Sequence, residues 1–362
     1  MPRFLVALPM LRFQNHLLRR STHWRRTMSF PYPTITVEEH WLSPAVTEFY
    51  AAKKAPDPHD EKGLIGTIIP SLRDFRDQRF KSMNDHGVTV QVVSHAPNTI
   101  ALDAATCIKV NDELAALIKE RPTRFAGFAT LPMAEPEAAS AELRRCVQDL
   151  GFVGTLVDSN CEGRFYDDEF FWPVFKAAEE LDVPFYLHPS ANEHTKPLLY
   201  DGNYPSTVAE TLSQYGWGWH NETAIHFLRL YAAGVFDRFP KLQLMLGHLG
   251  EMVPFMLDRV DRISSHWPQL GVKLKRSLRQ IWDENVWVST SGMFYLPQME
   301  LVLKQCKPER IIYSVDYPFG HNDVGLDFLK MLKSKKVVTD EVLEGIAYKN
   351  AERLLKIKAR VE

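Results

Sequence analysis

"TITVEEHWLSP", Thr34 to Pro44, is a short β-branched run that ends in two glutamates and a histidine shortly before a proline. Because side chains alternate along a strand, Glu38 and His40 point to one side and Glu39 to the other. Glu38 and His40 can therefore bind one ligand together. On its own the pattern is weak, because polar residues often mark the point where a strand leaves the core.

Similar apolar, β-rich runs alternate with amphipathic stretches of helix length from Thr34 to the C-terminus. Two of these stretches are "AATCIKVNDELAALIKER" and "EPEAASAELRRCVQDL", in which apolar residues recur at three and four positions. Strands that alternate with helices pair in parallel, and continuous apolar character indicates burial on both faces. The runs are 34–40, 88–95, 124–132, 151–159, 183–190, 242–250, 285–292 and 310–319.

Eight such units predict a (β/α)₈ barrel of the TIM type, formed as one domain by residues 30–362. A doubly wound open sheet is the alternative, but the sequence lacks a glycine-rich phosphate loop of the GxGxxG or Walker type. Two connections are long, residues 41–87 after the first strand and residues 191–220 after the fifth. In the first connection "KKAPDPHDEKGLIG" is predicted to be an exposed loop whose Asp57, His59 and Asp60 are solvated.

The composition is typical of a soluble globular protein, with 362 residues, 45% hydrophobic residues and a formal net charge of -2. The near-neutral charge argues against a nucleic-acid or membrane partner. The four cysteines form no C-x-x-C pair. They predict reduced thiols and a cytoplasmic location, not a disulfide framework or a cysteine zinc site.

Residues 1–29 differ from the rest, because they contain six arginines and no acidic residue. This composition is typical of a mitochondrial presequence, so mitochondria are the alternative location. Equally, Met28 begins "MSFPYPTITVEEH", and the segment could be an upstream extension that the folded domain does not need. We expect disorder there. The apolar run "FLVALPML" is too short to span a bilayer.

Polar residues that can bind a metal end other predicted strands as well. His188 ends the fifth strand in "YLHP", His248 ends the sixth in "LGHLGE", and Asp316 ends the eighth in "SVDYP". In a parallel barrel all these ends converge on the face where active sites form. Together with Glu38 and His40 they offer zinc or manganese a shell of imidazoles and carboxylates with room for substrate.

Other histidines are weaker candidates. His95 ends the second strand, where it could contact the substrate or cap the strand. His220 and His226 lie six apart on a predicted helix, a spacing that does not share one helix face, so a structural role is expected for both.

The segments "EEHW", "YLHPS", "FDRFPKLQLMLGHLGEMVPFMLDRVD" and "YSVDYPF" resemble the amidohydrolase superfamily, specifically its amino-carboxymuconate semialdehyde decarboxylase-like branch. Within that branch they are similar to hydroxybenzoate decarboxylases acting on γ-resorcylate, 2,3-dihydroxybenzoate or salicylate. Many superfamily members carry H-x-H on strand one, and the glutamate of E-x-H resembles these decarboxylases. Two departures concern the substrate more than the chemistry, Ser190 where relatives often carry arginine and the "WGWHNET" loop.

The resemblance implies one divalent ion, Zn²⁺ or Mn²⁺ with Mg²⁺ possible, and no organic cofactor. Its implied ligands are Glu38, His40, His188 and Asp316. His248 and Glu251 match the catalytic histidine and its carboxylate partner, although a helix-start acid is an equal explanation for Glu251. Arg259 matches a substrate-contacting arginine, with a surface or interhelical salt bridge as the alternative.

The implied reaction is non-oxidative decarboxylation of a small ortho-hydroxylated aromatic acid to the phenol and CO₂, by a homodimer or homotetramer. Asp316 is the candidate proton carrier, since burial in a dry apolar site can raise the pKa of a carboxyl group. Trp41, Phe294 and Phe319, with Tyr317, could form flat apolar walls, although core packing explains each equally well. The alternatives are a metal-dependent hydrolase or lactonase that activates water, and a non-catalytic barrel kept as a scaffold.

Overall fold

The strands are buried on both faces, as expected for parallel strands covered by helices. The computed structural model describes residues 30–61 and 65–360, and every residue of its first strand is buried. Within these residues eight strands follow in the predicted order. They are β1 Ile35–Trp41, β2 Val90–His95, β3 Phe125–Gly127, β4 Thr155–Asp158, β5 Phe185–His188, β6 Leu244–Leu246, β7 Val286–Ser289 and β8 Ile311–Ile312.

Each strand pairs in parallel with the next one in the chain. Continuous ladders join β1 to β3 and β4 to β8. A parallel bridge between Ala129 and Thr155 connects the two ladders. The backbone N–H of His40 donates to the carbonyl of Tyr317 at 2.7 Å, which joins the first strand to the segment that follows the last. The predicted (β/α)₈ barrel is confirmed, and the open-sheet alternative is excluded because the sheet closes on itself.

Helices follow the strands, and the predicted helices near 104–121 and 135–150 are confirmed. The side chain of Asp103 caps the first of them by accepting from the backbone N–H of Thr106. The α-helices are Pro44–Lys53, Ile69–Arg73, Gln78–Asp85, Ala104–Glu120, Pro136–Gln148, Trp172–Leu181, Lys196–Leu199, Ser206–Ser213, Gly218–Ala232, Val235–Arg238, Val253–Ser264, Leu278–Asn285, Leu296–Gln305, Asn322–Ser334, Asp340–Glu344 and Asn350–Leu355.

Apolar side chains from all eight strands meet in one buried cluster with the C-terminal helix. Burying each large apolar side chain contributes about 1.5–3 kcal/mol to folding. The strand residues of this cluster are Ile35, Val37, Val90, Val92, Ala126, Leu156, Tyr186, Met245, Trp287 and Ile312.

A bulge in β1 places successive residues on the inner side of the barrel. The register with β2 shifts between Thr36 and Glu39, so Val37 and Glu38 together oppose one residue of β2. Val37 packs in the core cluster. Ser314 holds the bulge, because its hydroxyl accepts from the backbone N–H groups of Val37 at 3.1 Å and Glu38 at 2.8 Å.

Glu39 points to the opposite side of β1 and fastens that strand to the segment after β8. Its carboxylate accepts from the backbone N–H of Val315 at 3.1 Å and of Tyr317 at 3.0 Å. Arg79, also fully buried, donates to the His40 carbonyl. The predicted separation of Glu38 and His40 from Glu39 is therefore observed.

Two expectations need correction. Strands three, six and eight are shorter than predicted, at three, three and two residues. The chain leaves the ladder for an isolated bridge at Ala129 after β3, for a tight turn after Leu246, and for side-chain bonds after Ile312. His59 is not solvated but only 2% exposed, since the loop around it folds back and packs its ring against Tyr50 and His95.

The predicted basic extension, residues 1–29, lies outside the described residues. Residues Tyr32–Glu362 form one compact unit. In the part of the chain that is described, no helix is both long and apolar enough to cross a membrane.

Replacing Ser314 with alanine should weaken the β1–β8 closure. The substitution leaves two buried N–H groups of β1 without an acceptor, and we expect the free energy of unfolding to fall by about 1–3 kcal/mol. Urea denaturation of the metal-free protein measures this, since a bound ion would add its own stabilisation.

The matched control is Ser334→Ala, because Ser334 is exposed and its hydroxyl donates to a carbonyl of its own helix. This variant should change the free energy of unfolding by less than about 0.5 kcal/mol. Equal losses in the two variants would contradict the role assigned to Ser314.

Candidate metal centre and active site

Four predicted ligands meet at the carboxyl ends of β1, β5 and β8. Glu38, His40, His188 and Asp316 each offer one ligand atom, and these atoms lie within 4.8 Å of one another. His40 Nε2 is 3.3 Å from Asp316 Oδ1, and His188 Nε2 is 3.1 Å from Glu38 Oε1. These residues form what we call the metal cluster.

Glu38 is oriented by hydroxyl groups that the sequence analysis did not single out. Its Oε2 accepts from the hydroxyls of Tyr186 and Ser291, and Tyr186 also bonds to Ser289 at 2.7 Å. A Cβ at Gly247 would lie only 2.6 Å from Oε2, so a larger residue there would displace this carboxylate. This cradle occupies one carboxylate oxygen and leaves Oε1 for the cluster.

The unpaired atoms of the cluster fit a divalent cation. Among the residues that the structure describes, Glu38 Oε1, His40 Nε2 and Asp316 Oδ1 are buried and have no hydrogen-bond partner, and each such atom costs about 1–3 kcal/mol if nothing binds it. His40 Nδ1 faces the carbonyl of His95 at 3.4 Å, which favours a proton on Nδ1 and a free lone pair on Nε2. The residues present therefore match the donor set of zinc or manganese.

His248 faces the cluster from a strained turn. Its Nε2 lies 3.6 Å from Glu38 Oε1 and 3.7 Å from Asp316 Oδ2, while Nδ1 lies 2.7 Å from Glu251 Oε1. Both ends of this turn have left-handed backbone, with φ of 46° at His248 and 51° at Glu251. Non-glycine residues in this region cost about 1–2 kcal/mol each, which marks the turn as a functional feature.

Charges in this pocket raise the pKa of the His248 imidazole and lower the pKa of the Asp316 carboxyl group. Burial lowers the pKa of His248, but the carboxylates of Glu251 and Glu38 outweigh it and raise that pKa well above its ordinary value. Burial raises the pKa of Asp316, but His248 and His40 lower it below its ordinary value. The expectation of a raised pKa for Asp316 is wrong for this arrangement, because two imidazoles replace the dry apolar surroundings.

The predicted aromatic walls divide into two groups. Phe319 packs edge-on against His40 with ring centroids 5.6 Å apart, so it lies at the cluster. Trp41 is buried against Phe75 and His95. Phe294 stacks on the buried ring of Phe328 at 5.3 Å, a contact that serves core packing.

Arg259 is exposed on the helix Val253–Ser264. Among the described residues, no hydrogen bond or ion pair joins it to the metal cluster. Its role as a substrate contact stays a prediction.

A cavity of about 600 Å³, counting its open mouth, lies at the ends of β2, β3 and β4. His95 and Asp158 line it, and Asp158 is the neighbour of His188 in the β4–β5 register. Burial raises the pKa of Asp158 to about 7, and burial lowers the pKa of His95 to about 3. Asp158 ends a predicted strand, so the strand-end rule applied to "TLVDS" would have found it.

His220 was expected to be structural, yet its Nδ1 lies 2.7 Å from Glu251 Oε2. Two features hid this contact in the sequence: His220 lies near the start of a helix, and Glu251 is 31 residues away. Only the tertiary fold brings the two together.

Comparisons with known proteins identify relatives of this chain. A family model described as amidohydrolase matches residues 69–357. Decarboxylase orsB of Emericella nidulans is 43% identical over 332 residues, which cover 91% of this chain and 99% of that protein.

Two solved structures share the fold. One is 2,6-dihydroxybenzoate decarboxylase complexed with 2,6-dihydroxybenzoate, with a TM-score of 0.78, 32% identity, and coverage of 90% of this chain and 100% of that one. The other is the dihydroxybenzoic acid decarboxylase of Polaromonas sp. with manganese and the inhibitor 2-nitroresorcinol, with a TM-score of 0.75, 31% identity, and coverage of 90% and 97%.

The barrel and its strand-end cluster define a metal-dependent enzyme. The chain belongs to the amidohydrolase family. The predicted family and the carboxy-lyase class are confirmed by these decarboxylase relatives, and the metal cluster is the candidate site for one divalent ion.

Removing one ligand should abolish metal binding without unfolding the barrel. For His188→Ala and Glu38→Gln we expect metal affinity to fall more than about 100-fold, because loss of a residue that only orients a ligand already costs about 10–100-fold. Equilibrium dialysis against Mn²⁺ and Zn²⁺ with elemental analysis measures the occupancy. His194→Ala, at an exposed histidine, is the control, and full occupancy in the ligand variants would disprove the assignment.

Proposed function

We propose that this protein decarboxylates an ortho-hydroxylated aromatic acid to the phenol and CO₂ without an oxidant. One observation carries the proposal: the metal cluster faced by His248, in a chain related to enzymes named as decarboxylases, of which one was solved with 2,6-dihydroxybenzoate bound. The particular acid and the native metal among Zn²⁺, Mn²⁺ and Mg²⁺ are open to experiment.

The chemistry explains why an ortho hydroxyl is needed. Loss of CO₂ from an aromatic acid leaves an electron pair on a ring carbon, and a bare aryl carbanion is too unstable to form in water. Protonating that carbon first gives a cyclohexadienone-like intermediate, from which the C–C bond breaks and its electron pair restores the aromatic ring. Glu38, His40, His188 and Asp316 would hold a divalent ion, which when bound would supply positive charge to stabilise the developing oxyanion by several kcal/mol.

Asp316 and His248 both take part in proton transfer in this proposal. The raised pKa of His248 and the lowered pKa of Asp316 place a proton on the imidazole in the free protein. Their Nε2 and Oδ2 atoms are 3.7 Å apart, close enough to exchange that proton after a small movement. Asp316 would then deliver it to the ring carbon, while His248 bonds the ortho oxygen.

The surroundings offer a place for a flat ring. Phe319 provides an apolar edge beside His40, and the cavity with Asp158 and His95 opens next to β5. We place the ring between these features, with Trp41 behind His95. Arg259 would contact the substrate only if another subunit brought it there, since it is exposed in its own chain.

We also propose that the enzyme is a homodimer or homotetramer in the cytoplasm. The segment from Trp217 to Leu270 exposes large apolar side chains, including Phe255 and Leu270 at 78% and 77% exposure, and such surfaces are typical of subunit contacts. Free, buried cysteines suit a reducing compartment. Sedimentation velocity tests the oligomer, and a monomer would disprove it. Cell fractionation tests the location, and recovery of the protein in mitochondria would disprove a cytoplasmic one.

A substrate panel tests the reaction. With metal present, we expect CO₂ and the free phenol from 2-hydroxybenzoates, and rates at least about 100-fold lower from 3- and 4-hydroxybenzoates, which lack the ortho oxygen. Asp316→Asn should lower kcat by at least about 100-fold, the range for loss of a general acid. Liquid chromatography of the phenol and trapping of CO₂ measure both results.

Lactones and esters form the second arm of the panel. Hydrolysis without release of CO₂ from any hydroxybenzoate would favour the hydrolase alternative. Full activity of Asp316→Asn would disprove the assignment of Asp316 as proton carrier but would leave the proposed reaction standing.

A further inference from the structure

A line of side chains leads from the "WGWHNET" segment to the metal cluster. Trp219 Nε1 donates to His220 Nε2 at 3.0 Å, and His220 Nδ1 lies 2.7 Å from Glu251 Oε2. Glu251 Oε1 in turn lies 2.7 Å from His248 Nδ1. Both oxygens of one carboxylate are thus held between two imidazole rings whose centroids are 4.5 Å apart.

The hydrogen-bond partners fix where the protons lie. An indole N–H only donates, so His220 Nε2 must accept and the ring proton lies on Nδ1. Glu251 is ionised, because both histidines lower its pKa to about 2 against the effect of burial, and an ionised carboxylate only accepts. His220 Nδ1–H and His248 Nδ1–H therefore both donate to Glu251, and His248 presents Nε2 to the cluster.

Glu251 needs a second anchor in this place. It is fully buried, it belongs to the strained left-handed turn, and among the described residues its side chain bonds to His220 and His248 alone. Without His220, one carboxylate oxygen would be buried and unpaired, at a cost of about 1–3 kcal/mol or more. The carboxylate would then gain by rotating, and His248 would lose its orientation.

We propose that His220, itself held by Trp219, is a positioning residue that locks Glu251 and thereby keeps His248 aimed at the metal cluster. The proposal rests on the proposed function, in which His248 touches the substrate. His220 itself has no ring nitrogen free for the substrate or for the metal cluster, because Nε2 bonds to Trp219 and Nδ1 bonds to Glu251. His220, His248 and Glu251 could also gather a second ion, but the atoms that would bind it are already paired.

Two substitutions of His220 separate hydrogen bonding from space filling. His220→Asn places an amide N–H where Nδ1–H was and retains a donor to Glu251. His220→Leu fills similar space without a donor. We expect kcat of the leucine variant to fall about 10–100-fold, the usual effect of losing an orienting partner, with KM changed less than about threefold and metal content unchanged. The asparagine variant should recover kcat to within about fivefold of the unmodified enzyme.

Crystal structures of the metal-free variants give a readout that does not depend on activity. In His220→Leu we expect a rotated Glu251 carboxylate and a His248 ring turned from the cluster or split between orientations, and in His220→Asn the original geometry. Unchanged rings in the leucine variant, or equal losses of kcat in both variants, would overturn the proposal.

The two hypotheses fail in different ways. If the unmodified enzyme decarboxylates no hydroxybenzoate, the proposed function is wrong, and the crystal structures still decide whether His220 orients His248. If decarboxylation occurs and the leucine variant keeps full kcat, the positioning role alone is wrong.

Discussion

The join between β1 and β8 is the constraint on which the metal cluster depends. Because β8 has only two residues, its ladder is too short to fix the strands by itself, and a buried carboxylate takes over. Glu39 accepts from the backbone N–H of Val315 and of Tyr317 and from the hydroxyl of Ser314. Asp316 lies between the two residues that donate these N–H groups, and the two ligands of β1 flank Glu39. One set of hydrogen bonds therefore sets the distance between the ligands of the first strand and the ligand of the last.

Much of this arrangement follows from simple patterns in the chain. Alternation of apolar strands and amphipathic helices predicts the barrel, since parallel strands need crossover helices, and polar residues at strand ends predict which side chains meet, since those ends share one face. Glu38, His188 and Asp316 were found in this way. The same rule applies to Asp158, which ends β4 and which the sequence analysis did not single out.

Other parts of the site depend on contacts that no local pattern encodes. The bulge that turns Glu38 inward comes from Ser314, which is 276 residues away. The strand-end rule finds ligands but not the groups that orient them, such as Tyr186, because an inward tyrosine in a strand reads as core. His59 was misjudged because a polar residue in a loop is solvated by default, and only a long-range contact overrides that default. The bond from His220 to Glu251 was not foreseen, because only the tertiary fold brings these two residues together.

The electrostatics of the cluster explain why stability has to come from elsewhere in the barrel. Glu38, Asp316 and Glu251 bring three carboxylates close together, and among the described residues no lysine or arginine forms an ion pair with them. Like charges in a buried site repel, and burial removes the water that would screen them. Imidazoles relieve part of this repulsion, and a divalent cation held by Glu38, His40, His188 and Asp316 would relieve more of it. The arrangement that suits the chemistry is thus unfavourable without its ion. The fold tolerates it because the bonds of Glu39 and the apolar barrel core lie outside the cluster and do not depend on the metal.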